Sequence, residues 1–472
     1  MSLLIKNGRI ITADADYTAD VFCNGEQITR IEKGIDPKSC PPGTEVIDAS
    51  GKYVFPGFID PHVHVYLPFM GTYAKDTWES ASRAALVGGT TTLIEMICPG
   101  RSEEPLAAYE TWLSKAQGIS SCDFTFHMGV SRWDDTAEKQ LREIVKRGIR
   151  SFKIFLAYKG ALGVDDRELY HTLKLAKELG VVVTAHCENE TLVDELQQSL
   201  LASGRTGPEW HEPSRPVRVE ASGVHHLMTF AELTGAEVYV VHTSCREAVE
   251  EALRGMARGV RASVEVVIPH LVLDATAAER SGFEGAKYVM SPPLRHRSQC
   301  DALWTYLAAG IVATVATDHA PFDFEGQKSM GRDAFTRIPN GIPSVEDRVN
   351  LLWTHGVATG RIDLQTFVRC ASTRAARIFG LDRKGTIAPG ADADLVVFDP
   401  SWRGRISART HQMATDYSAF EGWEITGRPS VVVLRGEVMA REGVFTGTPG
   451  RGAFIARKPR ASGPGAPGRA GQ

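Results

Sequence analysis

Between residues 54 and 381 short β-branched runs alternate with helical stretches, unit after unit, and that alternation leaves few folds open. Residues 77–87 have helical spacing and stop at Gly88-Gly89, and the strand-like run 90–96 follows. The order then repeats through strand-like 124–129, helical 136–147 closed by Gly148, strand-like 151–157, helical 166–179 closed by Gly180, and strand-like 181–185. It continues with helical 222–233, strand-like 237–241, helical 247–258, strand-like 261–267, helical 299–309 and strand-like 311–316. Strands separated by helices pair in parallel, with the helices covering the sheet. Roughly eight such strands can be counted, which favours an α/β fold closed as a (β/α)8 barrel over an open sheet.

The two ends of the chain read differently. Residues 3–5 and 9–12 flank Asn7-Gly8, and residues 21–23 and 28–31 flank Asn24-Gly25. Asn-Gly between apolar runs is a hairpin signal, because both residues tolerate positive φ. Residues 394–398, 431–434 and the turn at Arg435-Gly436 have the same short-strand character. Neither end is large enough to bury a core alone, so the two are expected to form one small β-sandwich. The domains expected are 1–54 and 382–450 as the two parts of that sandwich, with the barrel at 55–381 between them. From Arg451 the last twenty-two residues hold five basic and no acidic side chains, and 463–468 alternates glycine with proline and alanine. Residues 451–472 are therefore expected to be an unstructured tail.

Composition narrows the function. A formal charge of -4 at pH 7 gives no argument for a nucleic-acid partner. No run of eighteen apolar residues exists to cross a membrane, and the chain enters a strand from its first residues, with no room for a signal peptide. Eight cysteines without a CxxC pair suggest reduced thiols and a cytoplasmic protein. Cys187 and Cys245 lie near histidines of interest and read as small packing residues.

Active sites of such barrels sit at the C-terminal ends of the strands. An apolar run ends in His62-Val63-His64, and the two-residue strand period would put both rings on one side, ready for a divalent metal. A turn that merely holds two histidines fits the pair equally well. His186 and His242 each end a strand and read either as ligands or as hydrogen-bonded rim histidines; Asp318 reads as a ligand or a helix N-cap. Lys153 is the anomaly. It sits among Phe152, Ile154, Phe155 and Leu156, where a bare ammonium is costly.

In context these residues are recognisable. Residues 57–64, 151–158, 183–189, 290–295 and 338–343, with sequences GFIDPHVH, SFKIFLAY, VTAHCEN, MSPPLR and IPNGIP, resemble the cyclic amidohydrolases, most closely the D-hydantoinase and dihydropyrimidinase group. The resemblance runs over nearly the whole chain and fails only in the tail. It implies two divalent metal ions, usually zinc, bridged by a carbamate that Lys153 forms with carbon dioxide. His62, His64 and Asp318 would hold the more buried ion, and His186 and His242 the more exposed one. It further implies hydrolytic opening of a cyclic ureide, with Asp318 moving the proton and Tyr158 donating to the oxyanion. Ser291 and Asn340 would hold the ring. Relatives are usually homotetramers. The loop 66–73, with Leu67, Phe69, Met70 and Tyr73, and the loop 159–162, with Ala161 and Leu162, would meet ring substituents. This apolar lining favours D-5-substituted hydantoins, with dihydropyrimidines also opened. The alternatives are a dihydropyrimidinase proper, an allantoinase or dihydroorotase, and a non-catalytic scaffold. The complete ligand set stands against the scaffold, and the apolar loop against the second pair. No G-x-G-x-x-G follows an early strand to support a nucleotide cofactor.

Overall fold

A computed structural model describes residues 2–458. Eight parallel strands are hydrogen-bonded in sequence order: Phe58–Val63, Thr90–Ile97, Asp123–Gly129, Ser151–Phe155, Val182–His186, Glu237–Val240, Arg261–Val267 and Val312–Ala316. Helices lie between successive strands, as the alternation requires. The helix Asp166–Leu179 shows how locally this is written. Asp165 accepts from the Glu168 amide and Glu168 bonds back to the Asp165 amide, while Gly180, at φ 64, ends the helix. Its buried Leu169, Thr172, Leu173 and Ala176 fall at the spacing of one helical face.

The first and last strands meet at a seam. One parallel bridge joins Val63 to His319, and the buried Arg348 guanidinium donates to Ile59 O (3.0 Å) and Val315 O (2.8 Å) on either side. The barrel is thereby closed around its axis.

Both chain ends build a second sheet, as expected, though it is one continuous hydrogen-bonded array. Its order is Val444–Phe445, Glu437–Arg441, Glu424–Leu434, Leu395–Arg405, Tyr53–Pro56, Ser2–Ile11, Asp16–Asn24 and Gln27–Glu32, with Glu45–Asp48 beside Ser2–Ile11. The two ends join where Val54 faces Val397. Leu3, Ile5, Val21, Leu395, Val397 and Val433 belong to a hydrophobic core of this unit's own.

Two expectations need correction. Asn24-Gly25 does join antiparallel strands, but Asn7-Gly8 makes no hairpin: Ser2–Ile11 runs on through a register shift between Ile5 and Gly8. Asn7 takes φ 62, its amide bonds to Asp20 and its side chain to Asp48, so the pair serves as a bulge. A Cβ on Gly8 would lie 2.4 Å from Val54, so glycine is needed there for close packing.

The tail expected to begin at Arg451 also starts too early. Phe124 N–H donates to Ala453 O (3.0 Å), Ile455 N–H to Phe124 O (2.7 Å) and Arg457 N–H to Gly148 O (2.9 Å). The Phe454 ring stacks on Phe126, and buried Arg457 donates to Ser151 Oγ (3.0 Å). Residues 451–458 thus pack along the starts of the third and fourth strands; residues 459–472 of the expected tail lie outside the described residues. Ending the chain at Gly450 should lower Tm by roughly 4 °C or more, because the hydrogen bonds of the buried Arg457 and an aromatic stack are lost together. Calorimetry on the shortened chain checks this, and an unchanged Tm would return the segment to the status of a tail.

Candidate metal centre

The C-terminal mouth of the barrel gathers the anomalous residues. Asp318 Oδ1 lies 3.1 Å from His62 Nε2 and 3.2 Å from His64 Nε2. Among the described residues, these three are the one cluster whose His, Cys, Asp or Glu donor atoms all lie within 4.8 Å of one another. The ring centroids of His242 and His62 are 5.3 Å apart, and those of His242 and His186 4.6 Å apart. Lys153, fully buried on the fourth strand, finds no hydrogen-bond partner for Nζ among the described residues, and its Nζ lies 4.7 Å from the centre of the Phe155 ring. An inner chamber of about 50 Å³ is lined by His64, Lys153, His186, His242 and Asp318, together with Tyr158, Ser291 and Asn340. The structure therefore brings together every residue singled out from the sequence, with His62 against Asp318.

Local backbone geometry marks the same place. Tyr158 (φ 63), His242 (φ 36) and Asp318 (φ 51) all occupy left-handed backbone that non-glycine residues rarely adopt. Each such residue costs of order 1–3 kcal/mol and persists only where its surroundings over-determine it. At Asp318 the fixing bond is its amide to His62 O (3.0 Å).

Outer partners orient the rings. Glu265 Oε1 takes His62 Nδ1 at 2.7 Å and the His242 amide at 2.9 Å, and Tyr239 Oη donates to Oε2 at 2.8 Å. Glu188 Oε2 holds His186 Nε2 at 2.7 Å and is itself held by Arg215 at 2.6 Å. These bonds leave Nε2 of His62 and Nδ1 of His186 as ligand atoms. His62 Nε2 has no aligned hydrogen bond despite its closeness to Asp318, and His242 Nδ1 has none either. Three orphaned polar atoms on buried side chains, with nitrogen and carboxylate donors converging, fit a divalent-metal site.

Burial and charge set the protonation of these groups. Burial lowers Lys153 to about 8 even with Asp318 nearby, so its amine has a reactive neutral fraction near neutral pH. Burial pushes His64 down to about 4. At His62 burial also opposes the charge, yet Glu265 and Asp318 outweigh it and carry the imidazole to about 9. Burial would raise Asp318, but His62, His64 and His242 hold it well below the usual carboxylate range. Burial raises the Tyr158 phenol, which keeps it a proton donor.

Outside the chamber lies a pocket of about 840 Å³ to which Phe69, Met70, Tyr73 and Trp112 contribute an apolar wall. Leu67 lines the inner chamber instead, and Tyr158 and Asn340 border both spaces. Asn340 Nδ2 donates to Ser291 Oγ at 2.9 Å. Cys187 and Cys245 are buried with their thiols pushed up by burial, in keeping with a packing role.

Sequence reasoning missed Glu265, Glu188 and Arg215. Glu265, inside Val264-Glu265-Val266-Val267, carries the signal that exposed Lys153, a charge within an apolar strand. Glu188 lies two residues past His186; Arg215 sits in a loop that offers no cue. Glu265→Gln should weaken divalent-metal affinity by about 10–100-fold, since the amide can leave His62 in the wrong tautomer. Titration of the metal-free protein with zinc checks this, and unchanged affinity would reduce Glu265 to a packing residue.

The amidohydrolase family profile matches residues 53–439. The D-hydantoinase of Geobacillus stearothermophilus is 46% identical over 459 residues, covering 97% of each chain. The solved structure of the D-hydantoinase (dihydropyrimidinase) from Thermus sp. superposes with a TM-score of 0.95 at 61% identity, covering 97% of this chain and 99% of the other. The dihydropyrimidinase from Brevibacillus agri NCHU1002 has a TM-score of 0.95 at 42% identity, covering 98% of this chain and 100% of the other. With a profile across most of its length and relatives this similar end to end, the chain belongs to the amidohydrolase family.

Proposed function

We propose that this enzyme opens D-5-substituted hydantoins to N-carbamoyl amino acids, and dihydropyrimidines to N-carbamoyl-β-amino acids at the same site. The observation that carries the reading is the convergence of His62, His64, Lys153, His186, His242 and Asp318 beneath a pocket walled by Phe69, Met70 and Tyr73. Relatives named D-hydantoinase and dihydropyrimidinase support it from outside the chain.

His62, His64 and Asp318 would hold one divalent ion, and His186 and His242 a second, most suitably zinc. Lys153 would bridge them as a carbamate: the neutral amine adds to carbon dioxide, a proton leaves, and the buried cation becomes an anion with two oxygens. Bound there, the ion pair supplies Lewis acidity and lowers the pKa of the attacking water. Asp318 is placed to take that water's proton and return it to the departing ring nitrogen, as base and then acid. The Tyr158 phenol donates to the carbonyl oxygen as charge develops on it. Ser291 and Asn340, on facing loops, hold the ring's N–H and C=O groups, and Leu67 and Phe69 keep bulk water out. The apolar outer wall accepts the exocyclic substituent. A homotetramer and a cytoplasmic location complete the proposal, the latter supported by eight unpaired cysteines.

The test is ring opening by the zinc-loaded protein on D- and L-hydantoins with aromatic or small substituents, beside dihydrouracil. The D-hydantoin with an aromatic substituent should have the highest kcat/KM. A clear preference for dihydrouracil would overturn the hydantoin assignment while leaving the ring-opening chemistry in place. Lys153→Ala should lose most of the bound metal, and elemental analysis finding two tightly held ions per chain would refute the bridge.

A further inference from the structure

Lys328 is buried without a carboxylate partner among the described residues, a costly arrangement for an ammonium. Burial alone draws its pKa down to about 7. Its Nζ donates to Val289 O (3.1 Å) and to Pro339 O (2.9 Å), two carbonyls on different loops. One loop carries Ser291 two residues on, and the other carries Asn340 in the next position. A third link, Gly341 N–H to Val289 O at 3.0 Å, ties the same loops together.

Two buried histidines complete the pattern. His211 donates through Nε2 to Met290 O (2.8 Å), and His270 donates through Nε2 to Pro292 O (3.0 Å). A carbonyl only accepts, so each imidazole carries its proton on Nε2. Their Nδ1 atoms have no partner among the described residues. The carbonyls of residues 289, 290 and 292 are therefore all occupied by side-chain donors. That of Ser291 accepts no hydrogen bond among the described residues, and Ser291 lines the inner chamber.

We propose that Lys328, with His211 and His270, is a positioning clamp for the ring. It occupies the carbonyls of residues 289, 290, 292 and 339 and locks the two loops in register, so that the Ser291 carbonyl is left to face substrate beside the Asn340 side chain. The inference rests on the ring-holding role given to Ser291 and Asn340 above. None of the three side chains is a catalytic residue; each acts through the backbone it holds.

Loosening the clamp should weaken ring binding more than chemistry. With zinc-loaded protein and the hydantoin that the unaltered chain opens fastest, Lys328→Met should raise KM by about ten-fold or more, with kcat changed far less. Zinc content should stay at the unaltered level, and Lys328→Arg, which restores a donor, should recover part of the loss. His270→Phe, which keeps the ring and removes the donor, should shift KM in the same direction. Unchanged KM in Lys328→Met and His270→Phe would overturn the clamp. So would a fall in kcat and zinc content at constant KM, or loss of the fold in both variants, since the donors would then serve the scaffold alone. If the unaltered chain opens no cyclic ureide, the proposed function fails and the clamp with it; activity with an unmoved KM sinks the clamp only.

Discussion

Three candidate metal ligands come from opposite ends of the barrel sequence, so the closing seam decides whether they meet at all. His62 and His64 belong to the first strand and its end, and Asp318 follows the eighth. Between them Asp60 accepts from the Thr317 hydroxyl at 2.7 Å, while His64 N–H donates to His319 O at 2.7 Å. Arg348 spans both strands from beneath and also reaches Thr90 Oγ1 at 3.0 Å. Burial raises the Asp60 carboxyl, and Arg348 counters that shift. A fully buried charged pair is a weak source of stability, because desolvation offsets its attraction. Its value here lies in register: the Asp60–Thr317 and His64–His319 bonds sit within two residues of a candidate ligand and the Arg348 bonds within three, and a slip of one residue would turn such a side chain out of the chamber.

This seam also explains which parts of the molecule were legible in the sequence. Strand and helix order is set by local periodicity and by glycines such as Gly180 at helix ends, and both were readable in sequence. The candidate ligands were readable because a charge or imidazole at the end of an apolar strand has few inexpensive explanations. Asn7-Gly8 misled because a bulge and a hairpin turn use the same left-handed backbone; the difference is whether the next strand pairs back or runs on. The segment 451–458 was invisible for another reason. A single bridge at Phe454 and one buried guanidinium at Arg457 have no period, and most of their partners lie over three hundred residues away.

Residues that act through other residues were harder still to see. Glu265 stood in an apolar strand and left a trace. Arg215, Lys328 and His211 lie outside the strands, where a polar residue is ordinarily solvated and raises no question. Only the folded structure shows that each is buried and that each points its donors at a group near the chamber.

The chemistry and the selectivity are thus built from different material. The six candidate ligands sit on barrel strands or within two residues of their ends, backed by Glu265 and Glu188 in a layer with no access to water. Strained backbone at His242 and Asp318 can be maintained there because rigid neighbours leave no lower-energy alternative. The outer wall rests on the loop carrying Phe69, Met70 and Tyr73, which holds only a two-stranded pair of its own. Contacts of that kind discriminate weakly, at about 1–3 kcal/mol per methylene-sized difference. Tyr158 belongs to both systems. Its backbone amide is held by Glu190, its ring packs edge-on against Phe69, and its side chain faces the chamber. A substituent that displaced Phe69 would therefore also shift the phenol proposed to steady the oxyanion, which would couple selectivity to turnover through a single aromatic contact.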